Sequence, residues 1–287
     1  MTRFLDVRLS AVGGGLAASV AINQGAEIGN YRSLNQAQLL QDIRGRHVLI
    51  ATHGFNVDRA AGIACLSNWE GLLQLAPPSV FLGLLWPGDS IWLHGLDYPE
   101  EPRVADDAGR LLGPFLDANF GGAASISFAS HSLGARVLLA TVSNMRRPVR
   151  RAMIMAGAIE DDCLNAEFQT AAAKIGEISV LASHEDEVLS AEFPLGNFFG
   201  GILAAGHPWW RAALGQGGPS SPRPSNFQAP FEIPDNWEFG HGDYLQLDPP
   251  APSIGVPTDV PPDGSSKPGA DYWQAAWTAA FVSTRFR

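Results

Sequence analysis

Residues 125–136 read Ser-Ile-Ser-Phe-Ala-Ser-His-Ser-Leu-Gly-Ala-Arg, an apolar strand-like run that passes at once into a helical pattern. Ser130 and Gly134 are small, so a sharp turn between them can lift the Ser132 hydroxyl clear of the chain while the helix packs close behind. The N-terminus of that helix adds partial positive charge at the turn. A serine so placed becomes a nucleophile only with a base, and with a third group that orients the base. Two histidines qualify as base: His241, flanked by Gly240 and Gly242, and His207 in an aromatic-rich stretch. For the third group the carboxylates are Asp186, between Glu185 and Glu187, and the cluster Glu160, Asp161 and Asp162. A second small-residue turn, His53-Gly54-Phe55-Asn56, follows an earlier apolar run, and Gly54 allows close backbone approach there. Lacking such companions, the two segments would be a strand-to-helix turn that happens to hold a serine and a glycine turn beside a structural histidine.

Positioning these residues is work for a regular framework, and the chain alternates strand-like and helix-like segments as a parallel sheet covered on both faces does. Two short strands are expected at 5–12 and 17–23. A helix should start at Ser33, where Ser33 and Gln36 form a capping-box pattern and Leu39, Leu40 and Ile43 make an apolar face. Compact apolar runs at 47–52, 80–86, 124–129, 152–156 and 178–182 read as buried parallel strands, with helices at 104–115 and 135–144 among the crossovers. Residues 191–235, rich in Gly, Pro, Phe and Trp, suit a cap or lid insertion, and the prolines of 248–268 suit a surface loop. A closing amphipathic helix places Trp273, Ala276, Trp277, Ala280 and Phe281 on one stripe. One domain of 287 residues with an elaborated rim is the expectation.

Composition removes several function classes. With 46% hydrophobic and 17% charged residues the chain is too apolar to be disordered and long enough for a large core. A net charge of −10, with 19 Lys and Arg, disfavours nucleic acid and anionic membrane surfaces as partners. Charged residues within the first eight positions interrupt any leader-like apolar run, and no stretch is long enough to be an integral membrane segment, so a cytoplasmic protein is expected. Cys65 and Cys163 lack metal-site or CxxC spacing and read as free thiols. No cofactor is expected. No metal is expected either, since His184 with Asp186, or with Asp161 and Asp162, lacks HxxxH or HxH spacing.

Together, the strand pattern, His53-Gly54-Phe55-Asn56, Trp86-Pro87-Gly88, Ser130-His131-Ser132-Leu133-Gly134, the turn around Asp186 and Gly240-His241-Gly242-Asp243-Tyr244 resemble the α/β-hydrolase superfamily. The resemblance is nearest to a bacterial branch of serine hydrolases, mostly uncharacterised, with Ser-His-Ser-Leu-Gly elbows. It spans residues 47–245, with Ser130 replacing the first glycine of the usual G-x-S-x-G elbow. The resemblance implies an α/β fold with a mostly parallel sheet, a Ser132-Asp186-His241 triad, and backbone amides of Phe55 and Leu133 as oxyanion hole. It favours Asp186 over Glu160, Asp161 or Asp162 because it places the acid after the strand at 178–182, and His241 because it places the base before the closing helix. The implied reaction is hydrolysis of small-molecule carboxylic esters through an acyl-enzyme. Trp92, Phe198, Phe199, Trp209 and Trp210 are expected to line an apolar acyl or aryl pocket. Rival functions are a catalytically silent binding protein on the same fold, or amide, thioester or acyl-transfer chemistry on the same triad. Oligomeric state is left open.

Overall fold

Apolar runs separated by helix-length segments can bury both faces of their strands only in a covered, parallel sheet. In the computed structural model, which describes residues 1–9, 15–89, 101–192, 212–228, 231–245 and 273–286, they build a nine-stranded sheet. Strands β1 (Thr2–Arg8) and β2 (Leu16–Gly25) form an antiparallel pair, and the short β3 (Arg32–Ser33) pairs with β2. Helix α1 (Gln36–Ile43), β4 (His47–Thr52), α2 (Arg59–Leu73), β5 (Ser79–Leu85), α3 (Glu101–Asn119), β6 (Ser125–His131) and α4 (Gly134–Ser143) follow. Beyond them come β7 (Val149–Met155), α5 (Gln169–Lys174), β8 (Ile175–Ala182), a single helical turn (Leu214–Gly217), β9 (Phe231–Glu232) and the closing helix (Trp273–Phe286). The strand order is β3-β2-β1-β5-β4-β6-β7-β8-β9, and every pairing from β1 to β9 is parallel.

That order matters at the carboxyl ends of the strands, where open α/β sheets place their ligands. Central strands β4 and β6 are direct neighbours, with Thr52 opposite Ser130. The turns leaving them, at His53 and at Ser132, therefore emerge side by side. Helix α4 is pressed against α3 through two glycines: a Cβ on Gly109 would stand 2.5 Å from the Ala140 Cβ, and one on Gly113 would stand 2.7 Å from the Asn144 Cβ. This close pairing holds the helix that starts just after Ser132.

Several expected bounds move. Strand β1 starts at Thr2 rather than at 5, β7 at Val149 rather than at 152, and β8 at Ile175 rather than at 178. Helix α1 is capped not by Ser33, which pairs with Asn23 in the sheet, but by Asn35, whose side chain accepts from the Ala37 amide at 2.8 Å. The closing helix also buries a different face. Ala276 and Ala280 stay partly exposed, while Ala275, Thr278, Ala279 and Val282 are buried beside Trp277 and Phe281. It packs on two sides: the Trp69 indole of α2 donates to Thr278 Oγ1 (3.3 Å), and Trp277 meets Trp237 and Phe239 edge to face. Part of the segment expected to form a cap, residues 212–228 and 231–235, flanks the sheet instead, with β9 beside β8 and Phe227 bridged to Ile178. Residues 193–211 and 248–268 lie outside the described residues. Cys65 and Cys163 are free and buried.

Candidate active site

Ser132 has a positive φ of 55°, a left-handed conformation that costs a non-glycine residue about 1–2 kcal/mol. Its neighbours impose it. The Ser132 amide donates to the Met155 carbonyl at 3.0 Å as the last bond of the β6–β7 ladder. Immediately afterwards the Ala135 amide closes onto the Ser132 carbonyl at 3.0 Å and α4 begins, opening at Leu133 with no side-chain cap. Positive φ recurs at Asn56, Ala156 and Glu238, in turns around the same end of the sheet, and outside that end at Gln74, which caps α2. Strain that gathers at one edge marks the place where the fold is shaped for more than stability.

Crowding at the turn explains both of its glycines. A Cβ on Gly134 would stand 2.4 Å from the His53 carbonyl oxygen and 2.9 Å from the Thr52 Cγ2, and one on Gly54 would stand 2.6 Å from the Ser132 Cβ. Gly134→Ala should therefore push α4 off β4 and destabilise the protein by about 2–3 kcal/mol, read as a shift of the urea midpoint. An unchanged midpoint would mean that the close approach is not needed.

Three side chains meet in a row. His241 Nε2 lies 2.8 Å from Ser132 Oγ, and His241 Nδ1 lies 2.7 Å from Asp186 Oδ2. Asp186 is fully buried, its other oxygen accepting the Leu189 amide at 3.0 Å, while Glu185 and Glu187 point to solvent. Of the candidate carboxylates, Asp186 is the one bonded to His241; Glu160, Asp161 and Asp162 follow β7. His207 lies outside the described residues, as do Trp92, Phe198, Phe199, Trp209 and Trp210. Phe55 and Leu133 belong to the two chain segments that abut at Ser132.

Bonds that no local pattern reveals hold this row. Ser183 Oγ donates to the Phe239 carbonyl (2.9 Å) and accepts the Glu185 amide (3.2 Å), joining the Asp186 turn to the His241 loop. Asp243 Oδ2 accepts the Gly240 amide at 2.8 Å, and Thr278 Oγ1 on the closing helix donates to the Tyr244 carbonyl at 2.6 Å. His131 is buried with its ring centroid 4.9 Å from that of His241, and its Nε2 donates to the His241 carbonyl at 2.7 Å. A carbonyl can only accept, so the His131 proton sits on Nε2. His53 Nδ1 donates likewise to the Gly54 carbonyl at 2.9 Å.

Burial pushes both His53 and His131 down to about 3 from an ordinary 6.5. Both stay neutral in the native state at neutral pH. In the unfolded chain they take up protons near 6.5, so between 6.5 and about 3 the unfolded state binds more protons than the native one. Native stability should therefore fall as pH drops through that window, each histidine contributing up to about 1.4 kcal/mol per pH unit. Urea unfolding across the window checks this, and a flat profile would contradict it. Burial, followed by the charges of Asp186 and Asp243, raises the Tyr244 hydroxyl well above its usual range, so it remains neutral as well.

Among the described residues, no three His, Cys, Asp or Glu side chains gather as metal ligands do, and His184 pairs with Asp235 at 3.5 Å. No helix among them is long and apolar enough to cross a membrane.

A mostly parallel sheet with helices on both faces, and a serine raised on the strand-to-helix turn of a central strand, defines the α/β-hydrolase fold. The chain belongs to the family described as alpha/beta hydrolase of unknown function (DUF900), whose model matches residues 32–198. Among solved structures, carboxyl esterase 2 from the mycorrhizal fungus Tuber melanosporum is similar over 93% of this chain and 80% of its own, at 12% identity and a TM-score of 0.42. None of the curated proteins matches the sequence.

Proposed function

We propose that the protein is a serine hydrolase that cleaves carboxylic esters through Ser132, His241 and Asp186. The observation that carries this reading is the unbroken hydrogen-bonded row from buried Asp186 through His241 to Ser132, with Ser132 in the left-handed conformation of a nucleophile elbow. In the reaction, Ser132 Oγ gives its proton to His241 Nε2 and attacks the ester carbonyl. Asp186 accepts the His241 Nδ1 proton in a hydrogen bond, holds the ring in the tautomer that can accept from serine, and stabilises the imidazolium. The protonated His241 then donates to the leaving alcohol, and an acyl-enzyme remains. Water enters, loses a proton to His241 and attacks the acyl carbon; the acyl–Ser132 bond then breaks, His241 returns the proton to Ser132 Oγ, and the carboxylic acid leaves. Amides of Phe55 and Leu133 are the donors for the alkoxide, each worth about 3–4 kcal/mol in the transition state.

The proposed substrate is a small molecule with a hydrophobic acyl or aryl group, as the aromatic residues of 191–210 favour. A panel of p-nitrophenyl esters of increasing acyl length, run beside the matching anilides and thioesters, tests the reading. Ester turnover that exceeds anilide turnover and depends on Ser132 supports it. Turnover of anilides or thioesters alone would move the chemistry to another bond, and no turnover of any substrate would favour a silent binding fold.

A further inference from the structure

A buried cation beside the site has no part in the row just described. Arg8 ends β1, and its side chain is 2% exposed. Its Nη1 donates to the carbonyls of Val57 (2.9 Å) and Trp86 (3.2 Å), and its Nη2 pairs with Asp89. Val57 closes the turn His53-Gly54-Phe55-Asn56, while Trp86 and Asp89 bracket the turn after β5. These two turns are tied to each other as well. The Asn56 amide donates to the Gly88 carbonyl at 2.6 Å, the Trp86 indole donates to the His53 carbonyl at 3.0 Å, and a Cβ on Gly88 would stand 3.0 Å from the Gly54 carbonyl oxygen. Between them Asn56 takes φ 56°, a left-handed conformation that asparagine tolerates better than most residues. Arg8 itself is firmly seated. Its amide donates to Asp6 Oδ1 (2.9 Å), its carbonyl accepts from Arg59 Nη2 (3.1 Å), and Asp6 in turn holds Arg59 (3.2 Å) and the Tyr31 hydroxyl (2.9 Å).

We infer that Arg8 is a positioning residue for the oxyanion hole: its guanidinium locks the two turns together and so sets where the Phe55 amide points. The inference rests on the proposed esterase reading. A buried guanidinium is costly unless carbonyls and a carboxylate surround it at the right angles, so it enforces that arrangement on the chain supplying them. Displacement of an oxyanion donor by about 1 Å can cost on the order of 10²-fold in rate. Strand β1 precedes the residues 32–198 that the family model matches, so this brace comes from outside that region.

The test compares a p-nitrophenyl ester with its thiono analogue, in which sulfur replaces the carbonyl oxygen. Sulfur is a weak acceptor, so the thiono ester draws little from the amides. Arg8→Met is expected to lower kcat for the oxygen ester at least about tenfold with KM within about twofold, while the thiono ester loses far less, so the oxygen-to-sulfur rate ratio falls. Arg8→Lys keeps the charge beside Asp89 without the planar fork, and should show the same selective loss in smaller measure. Should Arg8→Met not fold, the ratio in Arg8→Lys decides. An unchanged ratio in a folded variant overturns the role of Arg8 and leaves the esterase reading intact. Hydrolysis by the parent protein that does not depend on Ser132 overturns the esterase reading instead.

Discussion

Ser132→Ala is expected to lower ester turnover by about 10⁴-fold or more while leaving the fold in place. The substitution deletes one oxygen and keeps the Cβ that packs against Gly54. Alanine can also hold the required backbone, since Ala156 already occupies φ 46° at the turn after β7. What disappears is the atom that lies 2.8 Å from His241 Nε2, and with it the covalent route. Any residual rate would come from the amide donors and from binding alone. Initial rates on the best p-nitrophenyl ester, taken with circular dichroism and a thermal melt, check both halves. A folded variant with near-normal rates would mean that Ser132 is not the nucleophile.

Asp186→Asn should be almost as damaging, with kcat down by about 10⁴-fold and KM little changed. The reason lies in the two oxygens of Asp186. One accepts the Leu189 amide at 3.0 Å, and the other meets His241 Nδ1 at 2.7 Å. An asparagine must keep its carbonyl toward the Leu189 amide, so its NH₂ turns toward His241. Nδ1 then has to accept, the ring proton moves to Nε2, and the imidazole presents a donor to Ser132 where a base is needed. Steady-state kinetics of the folded variant test this. Near-normal kcat in Asp186→Asn, with activity lost on replacing Glu160, Asp161 or Asp162, would place the orienting acid after β7.

The elbow could be read from the chain because the signals that mark it are local, although Met155 and His53 also shape it. An apolar strand, two small flanking residues and an immediate helix lie within 125–136, and each contributes through its own backbone preference. The pairing of Asp186 with His241 is a different matter. The residues are 55 apart, spacing alone does not join them, and only resemblance favoured that pair over the carboxylates after β7. Side chains that brace the row carry no pattern at all. Ser183, Thr278 and the Nε2–H of His131 act through hydrogen bonds to carbonyls 34 to 110 residues away. Arg8 reads in sequence as an ordinary charged residue near an end of the chain. Its burial depends on β1 joining the sheet beside β5, which no local periodicity specifies. The closing helix shows the same limit in another form. Its stripe of Trp, Ala and Phe gave the helix correctly, but contact with α2 on one side and the His241 loop on the other buries a wider face than one stripe.

The most direct measurement is reaction of the folded protein with a fluorophosphonate, followed by intact mass and peptide mapping. A single phosphonyl adduct is expected, carried by Ser132, absent in Ser132→Ala and slowed in Asp186→Asn. No adduct, or an adduct on another residue that persists in Ser132→Ala, would contradict the assignment of Ser132 as the activated nucleophile.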